Sequence, residues 1–345
     1  MNSSAALRLF VTALLAFALG GCALAPTVGA DDARRIAGKT YVVTGASSGF
    51  GRGVAVRLGG LGANVVLAAR RTELLEEVAR EVRSAGGNAL VVTTDVARPG
   101  DMDRLMSATL ARFGRVDVWI NNAGVGVIGR FEEIPVADHA RVVDVNLNGV
   151  IYGSHIALGV FRAQGSGTLV NVGSVESEVP LAYQASYAAS KAGVLALGRA
   201  LNEELRLASL SGVQVATVMP WAADTPFFAH AGSYSGRAPN MFALDPPEKV
   251  VEAIVWVSVN PREELPVGWK AGVSTASHRL FPDLTERLSA DMVHKAQMER
   301  APPALNGPGA LHRPLEAGRG VSGGMLLRPG PDGVLRPSER VIRAP

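Results

Sequence analysis

Between residues 39 and 300, short β-branched runs alternate with longer stretches whose apolar positions recur every three to four residues. Lys39–Thr44 (KTYVVT), Asn64–Ala69 (NVVLAA), Asn88–Thr94 (NALVVTT), Val116–Asn121 (VDVWIN), Thr168–Gly173 (TLVNVG) and Val213–Met219 (VQVATVM) read as strands. Their near-continuous apolar character suits strands buried on both faces. Intervening stretches such as Glu73–Ser84 (ELLEEVAREVRS) are amphipathic at helical spacing. Strand–helix alternation predicts an α/β fold, a doubly wound parallel sheet with helices on both faces, in one domain over 38–300. No internal repeat is visible.

The two ends of the chain break this pattern. Within residues 1–30, Arg8 precedes the uncharged apolar run Leu9–Leu19, and Leu19-Gly20-Gly21-Cys22 resembles a bacterial lipobox, as in an exported lipoprotein. A single membrane anchor over 9–28 fits equally, since twenty uncharged residues are about the length that spans a bilayer. Arg34, Arg35 and Lys39 after the run would then keep the body in the cytoplasm. A start codon placed too far upstream is the third reading. All but the last make the chain membrane-associated through residues 1–30. Residues 301–345 hold eight glycines and eight prolines with few large apolar side chains, which predicts a disordered tail.

Composition narrows the chemistry. The chain has 345 residues, 48% of them hydrophobic, enough for a sizeable core. One cysteine, Cys22, excludes an internal disulfide or a cysteine-rich zinc site. The six histidines lack the i, i+4 spacing of a helical metal site, so no metal is expected. The net charge of +3 belongs to the tail, where six arginines face three acids, and the first 300 residues balance 28 basic against 28 acidic groups. A neutral body gives no basic face for nucleic acid.

The first strand runs into Thr44-Gly45-Ala46-Ser47-Ser48-Gly49-Phe50-Gly51, and a helix follows. A glycine turn between strand and helix lets backbone approach a pyrophosphate, which the helix N-terminus attracts. Tight turns also need glycine, but after the first strand of an α/β pattern the loop favours a dinucleotide and a Rossmann-type sheet. The spacing is GxxxGxG, not GxGxxG. After the second strand, where NAD-binding chains place an acid, stand Ala69, Arg70 and Arg71. Arginine there accommodates a 2′-phosphate, which predicts NADP(H) in preference to NAD(H). An ordinary solvated helix start is the competing reading.

Tyr187-Ala188-Ala189-Ser190-Lys191 places a phenol and an ammonium on one helical face. A phenol titrates near 10, and a neighbouring cation lowers that value towards useful acid–base chemistry. Ser174 stands thirteen residues upstream, just past a strand, where parallel sheets bind ligands. YxxxK alone occurs by chance, but with Ser174 and the glycine loop the set is specific.

These residues resemble the classical short-chain dehydrogenase/reductase family over about residues 38–226. Asn121-Asn122-Ala123-Gly124 matches the family's NNAG, Asp95-Val96 the pair at the adenine ring, and Asn146 the catalytic asparagine. Pro220 and Thr225 resemble the segment that holds the nicotinamide. The resemblance implies a cofactor site of Gly45, Ser47, Ser48, Gly49, Phe50, Gly51, Arg70, Arg71, Asp95, Val96, Asn122, Ala123, Gly124, Tyr187, Lys191, Pro220 and Thr225. It implies Tyr187 as proton donor or acceptor, Ser174 orienting the substrate oxygen, and Lys191 binding the ribose and lowering the tyrosine pKa. Asn146 would hold a relay water.

Departures accompany the match. Trp221 follows Pro220 where the family often has glycine, Phe50 replaces isoleucine, and Pro261–Glu264 and Pro266–Gly268 precede a helix-like stretch to Glu299, as in longer, membrane-associated members. A substrate lid is expected at about 221–247, with Glu176, Tyr183 and Trp221 as candidate lining. The expected activity is transfer of a hydride between nicotinamide and a small-molecule carbonyl or alcohol. An epimerase or dehydratase of the extended relatives and a non-catalytic nucleotide-binding membrane protein are the alternatives. Ala188, Ala189, Ala192, Gly193 and Ala196 would permit a homodimer or homotetramer seam on the Tyr187 helix, or internal packing.

Overall fold

The structure, a computed structural model, describes residues 25–329 and 335–337. Seven strands form one parallel sheet: β1 (Thr40–Thr44), β2 (Asn64–Ala69), β3 (Asn88–Thr93), β4 (Val118–Asn121), β5 (Gly167–Val172), β6 (Val213–Pro220) and β7 (Glu264–Val267). Their order is β3-β2-β1-β4-β5-β6-β7. Val42 of β1 is paired with Val66 on one side and Trp119 on the other, so β1 is central. Chain direction across the sheet reverses between β1 and β4, and a crevice opens there beyond the carboxyl ends of the strands.

Alternation along β1 divides the core into two layers. Tyr41 and Val43 pack with Ile36 of α1 (Ala30–Ile36), Leu58 of α2 (Gly49–Gly59), Val78 of α3 (Thr72–Ser84) and Ile254 of the Pro247–Val257 helix. Val42 and Trp119 face Leu105 of α4 (Pro99–Phe113) and Phe161 of the Gly149–Gln164 helix. Side chains successive along a strand point to opposite faces, so both layers come from one apolar run. The doubly wound α/β fold expected from the sequence is the one observed. Further helices are α5 (Val136–Val143), α6 (Gly149–Gln164), α7 (Ala185–Leu207), α8 (Pro247–Val257), α9 (Gly268–Leu280) and α10 (Pro282–Val293). Between α5 and α6, residues Asp144–Asn148 form a π-helical turn that carries Asn146.

Two features differ from the pattern reading. β7 was not among the expected strands: it is four residues long, contains Pro266 and pairs only with β6, and proline is tolerated at such edges. Residues 301–326, expected to be disordered, take a defined path over the body. They hold few large apolar side chains, of which Leu311 is buried beside Tyr187, and several of their backbone carbonyls accept from donors of the folded domain. Residues 330–334, 338–345 and 1–24, with most of the lipobox or anchor segment, lie outside the described residues. Among the described residues no helix is long and apolar enough to cross a membrane.

Candidate active site

The glycine loop is pressed against the end of β4. Gly45 has φ +69°, and a Cβ there would stand 2.8 Å from Ala123 Cα. A Cβ at Gly51 would stand 2.3 Å from the Gly45 carbonyl, so Gly51 seats the loop and does not face the crevice. Asn122 locks this contact: its backbone N–H donates to Thr44 Oγ1 and its amide to the Thr44 carbonyl, both at 2.9 Å. Helix α2 starts at Gly49 with no acid in its first turn and no side-chain cap from Ser48, which suits an anion at that end.

A cavity of about 260 Å³ runs along this loop. Ser47, Arg70 and Arg71 line one end, Asp95 and Val96 its side, and Ser174, Tyr187 and Lys191 the other end. Ser48, Gly49, Phe50, Asn122, Ala123, Gly124, Pro220 and Thr225 also line it. Residues far apart in sequence thus share one crevice. Asp95 accepts from Arg141 Nη2 at 2.7 Å. Burial pushes its carboxyl up, but the Arg141 hydrogen bond and charge hold it below the usual range. Arg141 lies outside every motif, and its role comes from packing alone.

Arg70 and Arg71 project to the same end, where residues 310–320 cross. Arg70 donates to the carbonyls of Leu311 at 3.0 Å and Ala310 at 2.7 Å. Arg71 donates to Leu315 O at 3.0 Å, Ser47 Oγ at 3.1 Å and Ser48 Oγ at 2.7 Å. The Gly49 N–H donates to Gly320 O at 2.9 Å. Sequence reasoning missed this crossing, for carbonyl acceptors carry no residue signature.

At the opposite end, Ser174 follows β5 and opens a one-turn 3₁₀ segment, Val175–Ser177. Its Oγ accepts from the Glu176 N–H at 3.1 Å. Lys191 Nζ donates to Val172 O at 2.7 Å and lies 5.7 Å from the Tyr187 ring centroid. Burial brings Lys191 down to about 8, opposed by the charge of Glu176. Burial also pushes the Tyr187 phenol well above its ordinary value, with Glu176 adding to the rise and Ser174 opposing it. The expectation that Lys191 lowers the tyrosine pKa is therefore corrected. In a water-excluded pocket, desolvation of the phenolate dominates, and burial disfavours the charge of the Lys191 ammonium as well.

Asn146 does not line the cavity. It is fully buried behind Gly124, accepting from Val125 N at 2.9 Å and donating to Val125 O at 2.9 Å. Of the candidate lining residues, Glu176 and Trp221 face the cavity, while the Tyr183 hydroxyl turns away to His294 Nδ1 at 2.7 Å. Trp221 Nε1 donates to Ala243 O at 3.0 Å, tying the expected lid to the rim; Phe227, Met241 and Phe242 of that segment line the cavity. No cluster of potential metal ligands occurs among the described residues.

The residues present fit a nicotinamide dinucleotide. The glycine cradle excludes any Cβ at Gly45, the helix N-terminus lies beside it, and the crevice leads from two guanidinium groups to the phenol. Comparisons with known proteins agree. Residues 39–234 match the family model for short chain dehydrogenases. The chain is 32% identical over 291 residues to YxnA, an uncharacterized oxidoreductase of Bacillus subtilis, covering 84% of this chain and 81% of the relative. It is 37% identical over 229 residues to 3beta-hydroxysteroid dehydrogenase 1 of Eggerthella lenta, covering 64% and 87%. An alcohol dehydrogenase from Thermococcus sibiricus, solved with 5-hydroxy-NADP, superposes with a TM-score of 0.57 at 28% identity, over 66% of this chain and 94% of that one.

Proposed function

The chain belongs to the short-chain dehydrogenases, and from that premise we propose that it is an NADP(H)-dependent carbonyl reductase in which Tyr187 donates the proton. It is an oxidoreductase of CH–OH and C=O groups. The observation that carries the finer reading is the shared wall formed by Ser174, Tyr187 and Lys191 at one end of the glycine-loop cavity.

When bound, the nicotinamide supplies or accepts the hydride. Ser174 Oγ accepts from the Glu176 N–H, which leaves its own proton to direct at the substrate oxygen. Burial keeps the Tyr187 phenol protonated at neutral pH, the form a donor needs. An alkoxide is a stronger base than a phenolate, so proton transfer from Tyr187 to the developing alkoxide runs downhill. Lys191 remains largely ammonium below about 8 and has protons beyond the one given to Val172 O for the ribose hydroxyls. Asn146 fixes the Val125 backbone and acts from behind Lys191, where it would hold the relay water. Arg70, Arg71 and Ser47 Oγ would take a 2′-phosphate, and this supports NADP(H) over NAD(H). The Phe227–Pro247 segment serves as the substrate lid. Attachment to a membrane rests on Leu9–Leu19 and Cys22 and is tested by fractionating cells that express the full chain.

The direct test is spectrophotometric. The purified full chain should oxidise NADPH faster than NADH with a panel of ketones and aldehydes, and Tyr187→Phe should abolish this. Turnover retained in that variant rejects the donor role.

A further inference from the structure

Glu176 shifts its neighbours Tyr187 and Lys191 by its charge but has no contact of its own in the chemistry above. It is 6% exposed and lines the cavity beside Ser174, Tyr187 and Lys191. Its Oε2 is buried without a hydrogen-bond partner. Such an atom costs stability unless something satisfies it. The fold does not need a carboxyl there: the 3₁₀ turn is held by backbone groups and by the hydroxyls of Ser174 and Ser177. A single residue, Val175, separates Glu176 from Ser174, so a ligand oxygen at Ser174 has its neighbouring atoms within reach of this carboxyl.

We propose that Glu176 is a specificity-determining residue that receives a hydroxyl carried on the carbon next to the reacting carbonyl. The proposal rests on the carbonyl-reductase reading and adds the substrate class: vicinal hydroxyketones and the corresponding diols. A site built to bind a substrate hydroxyl rejects the analogue that lacks it, because its own polar group is then left unpaired.

The test uses matched ketones with and without the adjacent hydroxyl, such as 2-hydroxycyclohexanone against cyclohexanone and acetoin against butanone, with NADPH. The wild type should favour the hydroxyketone at least tenfold in kcat/KM. Glu176→Leu should bring the ratio to within about threefold of unity by losing hydroxyketone turnover while keeping that of the plain ketone. Glu176→Gln, which can still accept a hydrogen bond, should lie between. An unchanged ratio in Glu176→Leu, or a wild-type preference for the plain ketone, overturns the proposal and leaves the reductase reading standing. No turnover of any ketone by the wild type overturns both.

A separate observation concerns residues 310–320. All three guanidinium nitrogens of Arg71 are already bonded, one of them to the carbonyls of Leu315 and Ala317, and both terminal nitrogens of Arg70 donate to Leu311 and Ala310. The Gly320 carbonyl takes the N–H at the start of α2. Farther along, the N–H groups of Gly323, Met325 and Leu326 are anchored on Asp224. The geometry points to a strap that competes with the cofactor's phosphates for Arg70, Arg71 and the α2 terminus, so that dinucleotide binding releases it. A phosphate outcompetes neutral carbonyls for guanidinium donors because both partners of its hydrogen bonds are then charged and the pairing can be bidentate.

The Arg313–Pro314 bond resists trypsin, so limited tryptic digestion of the full chain reads strap release at Arg319. NADPH should speed cleavage there at least fivefold. Gly309→Val and Gly323→Val should loosen the strap and tighten NADPH binding severalfold by fluorescence titration, since Cβ atoms there would meet His230 O at 2.4 Å and Thr225 O at 2.6 Å. Protection of Arg319 by NADPH, or weaker NADPH binding in both variants, shows the strap to be a wall of the site and overturns the competition. The wild-type digestion stands even where a variant fails to fold.

Discussion

The two ends of the crevice are finished in opposite ways. Where the phenol lies, burial is deep and polar groups are short of partners: Glu176 Oε2 has none, Lys191 is pushed down to about 8, and the phenol is pushed up. At the guanidinium end every donor of Arg71 already has an acceptor in the chain itself. The first end stores its polar capacity for a ligand. The second has that capacity occupied until a stronger acceptor arrives. A buried group without a partner is costly, whereas an exchanged hydrogen bond is nearly neutral, so the reacting end is the less stable half of the site.

Tyr187→Phe is the most severe way to break the comparison. It removes the proton donor and leaves the ring packed against Phe227, whose centroid is 5.6 Å away. The expected loss in kcat is at least a hundredfold, about 2.7 kcal/mol of transition-state stabilisation, with folding intact by circular dichroism. At the other end, Arg70→Ala with Arg71→Ala should lower kcat/KM for NADPH about tenfold or more while changing that for NADH little. The arginines would bind a group that only NADPH carries, and charged hydrogen bonds contribute about 1.5–3 kcal/mol each. Equal losses for both cofactors would remove the 2′-phosphate role.

The sequence announces the first end better than the second. Ser174, Tyr187 and Lys191 are legible because their chemistry demands particular residue types at fixed spacings on a strand end and a helix. Six of the seven strands are legible because burial on both faces forces unbroken apolar runs. Neither signal reaches β7, whose edge position admits Pro266 and half-exposed residues. Nor does either reach the strap, which is held mainly through backbone groups that any residue has, with Leu311 as its one fully buried large side chain among the described residues. Composition describes 301–326 correctly as unable to form a core, but a segment can be ordered by the donors of the body it crosses without having a core of its own. The sign of the Tyr187 shift was unreadable for a related reason: spacing puts an ammonium one turn away, while the depth of burial that opposes it depends on the whole fold.

A smaller effect follows from Lys191. Its pKa is lowered by burial to about 8, so it loses its proton as pH rises through that value. The neutral amine donates more weakly to the ribose hydroxyls. KM for NADPH should therefore rise above pH 8, while kcat, which depends on the still-protonated Tyr187, holds further into alkali. Lys191→Arg keeps its charge at all these pH values and should flatten the KM profile. A KM independent of pH from 6 to 9.5 in the wild type would place the ribose contact elsewhere.

The mildest prediction concerns stability. The Glu176 carboxyl is raised by burial from its ordinary 4.5 to about 8, opposed by Lys191. A raised carboxyl pKa means that the folded state favours the protonated form. Its penalty is therefore absent in acid, grows as pH rises from about 4.5, and is complete above about 8. Above pH 8 Lys191 also becomes neutral, so the carboxylate loses its nearby opposite charge. Replacing this side chain by leucine removes an unpaired buried acid, worth about 1–3 kcal/mol, from a half of the site that is short of partners. Glu176→Leu should melt several degrees higher than the wild type at pH 9, about 2–4 °C for each kcal/mol, and by less at pH 5. The reversed order, with the larger gain in acid, would mean that the carboxyl is satisfied when ionised. It would then belong to the well-partnered class of group found around Arg71.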